Sequence, residues 1–241
     1  MTRRPLIFDI ETIGDLTAEN RDEVATLAAG RELTPDAYAA LCPPLARVAC
    51  IAWLDANSQQ LGAVFDATLL GGHAPGTLDL DDGTGTATVS CVLHSAASEA
   101  ALLSTFGTVI EHHLAQPHGQ LVTYNGRGFD LPVLIHRSIK HGVTQGRILL
   151  VKAMGENRFR PSLHVDLMDV VTFGGAGNRW PMSTYAIGYG YRSPKAEMSG
   201  AHVSAAVQAG RIIDVVRYCA GDVLATAHMR HRVACLLPAA E

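Results

Sequence analysis

At 241 residues, with 48% apolar and 17% charged side chains, the chain is long enough to bury a sizeable core and too apolar for a disordered segment. Its formal charge of −4 excludes a uniformly basic, charge-driven nucleic-acid binder, although metal ions in an acidic site would invert the local field. No run approaches membrane-spanning length, the start leads straight into a strand rather than a signal peptide, and five cysteines without a CxxC pair (Cys42, Cys50, Cys91, Cys219, Cys235) read as reduced thiols of a cytoplasmic protein.

Residues 5–10 read as a strand. The stretch 15–44 is polar and helix-prone, punctuated by Pro35, Pro43 and Pro44, and reads as an excursion before a second strand at 46–54. Residues 61–65 are expected to form a third strand and 87–93 a further β segment, with the glycine-rich, acidic stretch 71–85 a loop. The segment 98–114 is an amphipathic helix: Ser98 can cap it, and Leu102, Phe106, Val109, Ile110 and Leu114 make one apolar stripe. Residues 121–124 form a short buried strand, Asn125-Gly126 a turn, and 129–140 a helix. The apolar run 165–171 is either a strand end or the start of a helix. A long helix covers 211–233, with Ile212, Val216, Cys219 and Val223 on its inner face. Strands first, then helix and strand in alternation, predict an α/β fold with a mixed sheet flanked by helices. The whole of 1–241 reads as a single domain with insertions near 15–44 and 71–86. It contains no repeat.

Three segments carry inward-facing acids. In Phe8-Asp9-Ile10-Glu11-Thr12, strand alternation turns Asp9 and Glu11 to the same face. Two adjacent carboxylates on a buried face are unfavourable unless a cation neutralises them, and a hard divalent metal selects oxygen ligands. An edge strand with solvated acids is the alternative. Asp130 follows the Asn125-Gly126 turn near a helix N-terminus, with Pro132 in the first helical turn; capping alone would also account for it. Tyr218 and Asp222 stand four residues apart on the apolar side of the last helix, where a buried aspartate needs a metal or a partner. The combination is more specific than any one segment.

Phe8-Asp9-Ile10-Glu11-Thr12, Asn125-Gly126-Arg127-Gly128-Phe129-Asp130 and Tyr218-Cys219-Ala220-Gly221-Asp222 resemble, in order and spacing, the three motifs of the DEDD 3′–5′ exonucleases. The tyrosine four residues before the last acid is similar to the tyrosine subclass; the histidine subclass has its histidine one position earlier, where this chain has Arg217. His164-Val165-Asp166-Leu167-Met168-Asp169 and the segment 188–200 extend the likeness to stand-alone exonucleases related to the proofreading domain of family B DNA polymerases. The run Tyr185-Ala186-Ile187-Gly188-Tyr189-Gly190-Tyr191 is more aromatic than that family leads one to expect.

The resemblance implies a ribonuclease H-like fold and a metal-dependent 3′–5′ exonuclease that hydrolyses single-stranded DNA from its 3′ end and releases nucleoside monophosphates. Two Mg²⁺ or Mn²⁺ ions, about 3.5–4 Å apart, would activate water and stabilise the leaving 3′ oxygen. Asp9 would bridge both ions, Glu11 and Asp222 would complete the site of the attacking water, and Asp130 would hold the second ion through water. Tyr218, with an ordinary pKa of about 10, would stay protonated and orient that water.

Thr12, Asn125, Phe129 and Lys195 are the candidate substrate contacts. Seven basic residues between 127 and 160 (Arg127, Arg137, Lys140, Arg147, Lys152, Arg158, Arg160) form either a phosphate track or an ordinary solvated face. The expected partner is single-stranded nucleic acid, DNA before RNA; an exoribonuclease and an inactive nucleic-acid-binding module on the same fold are the alternatives. Degeneration usually removes at least one acid, and all four are present. A dinucleotide-binding reading fails because Asn125-Gly126-Arg127-Gly128 lacks the third glycine and a ribose-binding acid. His112, His113, His228 and His231 lack the partners of a zinc site.

Overall fold

The structure is a computed structural model that describes residues 3–85, 87–158, 161–191 and 198–237. Its centre is β1 (Arg4–Gly14), whose even-numbered residues Leu6, Phe8 and Ile10 enter one apolar layer while Ile7 enters the other. Asp9 and Glu11 therefore share the face of Ile7. β1 pairs antiparallel with β2 (Ala46–Asp55) and, through Arg4–Ile7, parallel with β6 (Gly119–Thr123). With β3 (Gln60–Asp66), β4 (Thr77–Asp81), β5 (Thr88–Ala96) and β7 (His164–Asp166), these strands form a seven-stranded mixed sheet in the order β4-β5-β3-β2-β1-β6-β7.

Each face is covered by helices. On one side lie α3 (Glu99–Leu114), α4 (Asp130–Lys140) and α5 (Arg147–Met154), packed on Leu6, Phe8 and Ile10. Ser98 caps α3 by accepting the Ala101 N–H. On the other side lies α9 (Ile212–Arg232), whose Ile212, Val216, Cys219 and Val223 are fully buried, together with α7 (Met182–Tyr189) and α8 (Gly200–Gln208). Among the described residues no helix is long and apolar enough to cross a membrane.

The polar stretch after β1 folds into α1 (Arg21–Ala29) and α2 (Pro35–Leu41); α2 is started by Thr34, whose hydroxyl accepts the Ala37 N–H, and by Pro35 at its first turn. The apolar run at 165–171 is both of its alternatives in succession, β7 giving way directly to α6 (Leu167–Val171), with Asp166 capping the turn between them. The expected loop at 71–85 is a correction. Thr77–Asp81 is strand β4, with Leu78 and Leu80 buried and Thr77, Asp79 and Asp81 exposed. Its two acids and the surrounding glycines hide the period-two pattern; charge on an edge strand blocks further pairing.

The basic run 127–160 is not a single solvated face. Arg137 is fully buried: its Nε donates to Glu99 Oε1 at 2.8 Å, its Nη2 to Glu99 Oε2 at 2.5 Å and to Asp15 Oδ2 at 2.7 Å, and its Nη1 to the Pro44 carbonyl at 3.2 Å. Glu99 also accepts the Val48 N–H at 2.8 Å and faces His141 Nε2 at 2.8 Å. This knot fastens α4 to α3, to β2 and to the chain leaving β1. Removing one partner of such a pair leaves a buried charge, so Arg137→Met is expected to lower the unfolding free energy in urea by about 3–5 kcal/mol. Adding Glu99→Leu should recover a large part of that loss. A single-variant loss below about 1 kcal/mol, the range of a surface pair, would show that the knot does not hold these elements together.

Candidate active site

β1 and α9 bring the first acids together. Opposite Asp9 and Glu11 on β2 stand Ala52 and Cys50, both small and fully buried, which lets α9 approach the strand. The register slips between Glu11 and Thr12, where β2 carries Ala49 as an extra residue; a bulge of this kind increases the local twist and re-aims side chains. Carboxylate oxygens of Asp9, Glu11 and Asp222 all lie within 4.8 Å of one another, a group able to hold a metal ion. Cys219 on α9 donates its thiol to the Asp9 carbonyl at 3.3 Å and lies 3.7 Å from Asp9 Oδ2.

Asp130 enters from the opposite side as the first residue of α4, one position later than the expected helix start. Its carboxylate accepts backbone N–H groups of Ile10 and of its own residue, while Oδ1 is buried with no hydrogen-bond partner among the described residues. The Ile10 amide is available because β6 pairs with β1 only as far as Ile7. The loop before α4 is held by Asp166, which accepts the Asn125 N–H at 2.8 Å and the Met168 N–H at 2.9 Å on Oδ1, and the Arg127 N–H at 2.9 Å on Oδ2. Asn125 is left-handed at φ +65°, and Gly126 is required because a Cβ there would stand 2.2 Å from Thr123 Oγ1.

Electrostatics follow from this crowding. Burial, then the charges of Asp130, Asp222 and Glu11, hold the Asp9 carboxyl well above the ordinary aspartate range. Burial pushes Asp130 up to about 7, with Asp166 and Asp222 adding to the rise. Tyr218 is hydrogen-bonded to Asp222, and burial together with Asp222, Glu11 and Asp9 raises its hydroxyl further above its usual value, so it is neutral. The buried His164, beside Thr123 Oγ1 at 2.8 Å, is lowered to about 3 by burial and by Arg127, and is neutral as well.

Asp9, Glu11 and Asp222 open into a cleft of about 540 Å³, which Asp130 does not line. Leu33, Ala37 and Leu41 from the α2 region form one wall, Ala201 and Ser204 of α8 another, and Phe129 lines it beside Asp9 and Asp222. No lysine or arginine lines it among the described residues. Thr12 also lines the cleft, but its hydroxyl donates to the Ala40 carbonyl at 2.7 Å and so anchors α2. Asn125 lies in a smaller neighbouring pocket, and Lys195 falls outside the described residues. Tyr185 packs edge-on to Tyr124 and against Tyr189, and Tyr191 is buried against His228, so these tyrosines belong to the apolar layer under α7 and α9 and none lines the cleft. His113 and His228 face the backbone carbonyls of Arg4 and Asp82. The walls supplied by α2 and α8 left no chemical signal in the sequence.

The raised carboxyls set a testable pH dependence. A group whose pKa is raised on folding keeps its proton in the native state after the unfolded chain has lost it. Metal-free stability therefore falls as pH rises from the ordinary carboxylate value of about 4 through about 7. In EDTA, the melting temperature is expected to drop between about pH 5 and pH 8, and Asp130→Asn is expected to flatten the drop and to melt above wild type at the alkaline end. Mn²⁺ should raise the wild-type melting temperature more at the alkaline end. An Asp130→Asn variant with an unchanged slope would remove Asp130 from the coupled set.

Residues 75–237 match the family model of predicted 3′–5′ exonucleases related to the exonuclease domain of PolB. The structure is similar to that of the family B DNA polymerase from the hyperthermophilic archaeon Pyrobaculum calidifontis, with a TM-score of 0.56 and 18% identity over 97% of this chain and 25% of the polymerase. The chain thus spans about a quarter of that polymerase's length, and the likeness shows a ribonuclease H-like fold. No curated protein matches the chain. With more than half its length matched, the chain belongs to the family of predicted 3′–5′ exonucleases related to the PolB exonuclease domain.

Proposed function

We propose that this protein is a divalent-metal-dependent exonuclease that hydrolyses single-stranded DNA from the 3′ end and releases nucleoside monophosphates, its whole length acting as one domain with insertions near 15–44 and 71–86. The observation that carries the reading is the convergence of Asp9, Glu11 and Asp222 within 4.8 Å, with the buried Asp130 coupled to them electrostatically. The residues fit a hard cation: all four are oxygen donors, Asp130 Oδ1 is buried without a hydrogen-bond partner among the described residues, and no lysine or arginine lines the cleft among the described residues. Asp9, Glu11, Asp130 and Asp222 would hold two Mg²⁺ or Mn²⁺ ions, which when bound supply water activation and neutralise charge developing on the phosphate.

The chain's own groups do the rest. Tyr218 keeps its proton and, through its bond to Asp222, holds the hydroxyl where it would orient the attacking water. Phe129 offers an aromatic face for an unstacked terminal base. Leu33 and Leu41 line the same cavity with apolar surface that displaces water. A cleft of about 540 Å³ favours an unpaired strand end over a duplex. The family's relation to a DNA polymerase domain supports DNA over RNA.

Digestion of 5′-labelled single-stranded DNA and RNA with Mg²⁺, Mn²⁺ or EDTA tests the reading. A ladder shortening from the 3′ end is expected for DNA, with none in EDTA and resistance of a 3′-phosphorylated strand; cleavage of a circular single strand would overturn the exonuclease assignment. Asp9→Ala or Asp222→Ala should abolish cleavage while the protein stays folded, and activity within about tenfold of wild type would sink the two-metal reading.

Tyr218→Phe keeps the ring and removes only the hydroxyl. It should lower kcat by roughly 10–10³ with Mn²⁺ affinity by calorimetry nearly unchanged. Full activity would make Tyr218 a packing residue, and loss of metal would make it a structural support of the acids.

A further inference from the structure

Beside the acidic cleft lies a second pocket, of about 120 Å³, with the opposite character. Arg127, Arg158 and Arg179 line it together with Asn125, Gly128 and Asp169. Gly128 faces this pocket and the next residue, Phe129, faces the cleft, so the two are neighbours across a single peptide.

The charges do not cancel. Asp169 is shared by two guanidiniums, Arg127 Nε at 3.2 Å and Arg158 Nη1 at 3.6 Å. Asp166, the other acid lining the pocket, accepts backbone amides on both its oxygens. Arg127 is further held by the Met154 and Glu156 carbonyls, so its position is fixed. Arg179 is exposed and has no ion-pair partner among the described residues, which leaves a positive excess at the mouth.

Two aromatics adjoin these arginines in the same loop. Trp180 follows Arg179, is 52% exposed, and has its carbonyl bound by the Tyr124 hydroxyl. Phe173 precedes Gly174, whose carbonyl accepts from Arg158 at 3.4 Å; it is 67% exposed and held left-handed at φ +53°. A bulky residue in that conformation is disfavoured, and such strain collects at functional positions. Guanidiniums beside exposed aromatic faces are the elements of single-strand binding: a cation tracks the backbone while a ring stacks on a base of any identity.

We propose that Arg158 and Arg179 bind a backbone phosphate of the single strand on the 5′ side of the nucleotide held in the cleft, and that Trp180 stacks on the base beside it. The pocket has room for a phosphate, whereas the cleft takes the terminal nucleoside. The proposal rests on the nuclease reading only for the direction of the strand; the binding itself stands on the pocket's own charge and exposure.

The test is fluorescence anisotropy of a 5′-fluorescein single-stranded DNA 10-mer in EDTA, with wild type, Arg179→Glu, Arg158→Gln/Arg179→Gln and Trp180→Ala. The three positions changed all carry side chains with solvent access, and circular dichroism checks that each variant is folded. The arginine variants are expected to weaken 10-mer binding by about tenfold or more and to lower the slope of log K against log salt by about 0.7 for each phosphate no longer neutralised. Trp180→Ala should weaken binding by about fivefold or more with the salt slope unchanged. Competition by thymidine, which carries no phosphate for the arginines, should be the same in wild type and the arginine variants. Variants that bind the 10-mer like wild type, or arginine variants that lose thymidine and 10-mer binding in equal measure, overturn the proposal. The wild-type digestion ladder is run alongside: its absence counts against the nuclease reading, while the anisotropy still decides the pocket.

Discussion

Like charge held at close quarters is the constraint around which this structure is arranged. Asp9 and Glu11 must share a face because strand geometry leaves them no choice, and α9 then adds Asp222 to the same few ångströms. Nothing in the walls of the cleft relieves that repulsion with a lysine or an arginine among the described residues. The apo state tolerates it by keeping protons on carboxyls that would otherwise have lost them. The small residues on β2 opposite the acids and the slip in register at Glu11 belong to the same arrangement, since they let α9 come close enough for the crowding to exist.

The remainder of the scaffold handles buried charge in the opposite way. Arg137 and Glu99 neutralise each other under α4, and Asp15 and the Pro44 carbonyl take up the remaining donors. Asp166 is satisfied entirely by backbone amides and fixes the turn that delivers Phe129 and Asp130. At the site, by contrast, carboxylates of Asp9, Glu11 and Asp222 crowd one another in a cleft that no lysine or arginine lines among the described residues. The contrast between the two regions is a stronger argument for a cation site than the acids taken alone.

Legibility in the sequence followed burial. The alternation of β1, the stripe of α3 and the inner face of α9 were readable because each answers to one apolar layer, and the acids were readable as exceptions within those layers. β4 escaped because its leucines are separated by aspartates and bounded by glycines, a pattern that composition assigns to a loop. Arg137 read as one more surface cation because nothing local announces a partner 38 residues away. The α2 wall of the cleft and the Trp180 surface were invisible for a related reason: Leu33, Leu41 and Trp180 gain their meaning from what stands across from them, which no periodicity encodes.

The pairing of the first strand with the last long helix has a consequence for the order in which this molecule acquires its chemistry. The Cys219 thiol meets Asp9 across 210 residues of sequence, and Asp222 joins the acids over a similar span. Contacts of such separation carry a loop-closure cost that must be met before they stabilise anything. A chain with β1, β2 and β3 paired but α9 undocked would carry Asp9 and Glu11 on an open, wetted sheet face, without the third carboxylate, Asp222. The three-acid group thus comes into being only with the docking of α9, so that the site belongs to the completed fold and to no smaller part of it.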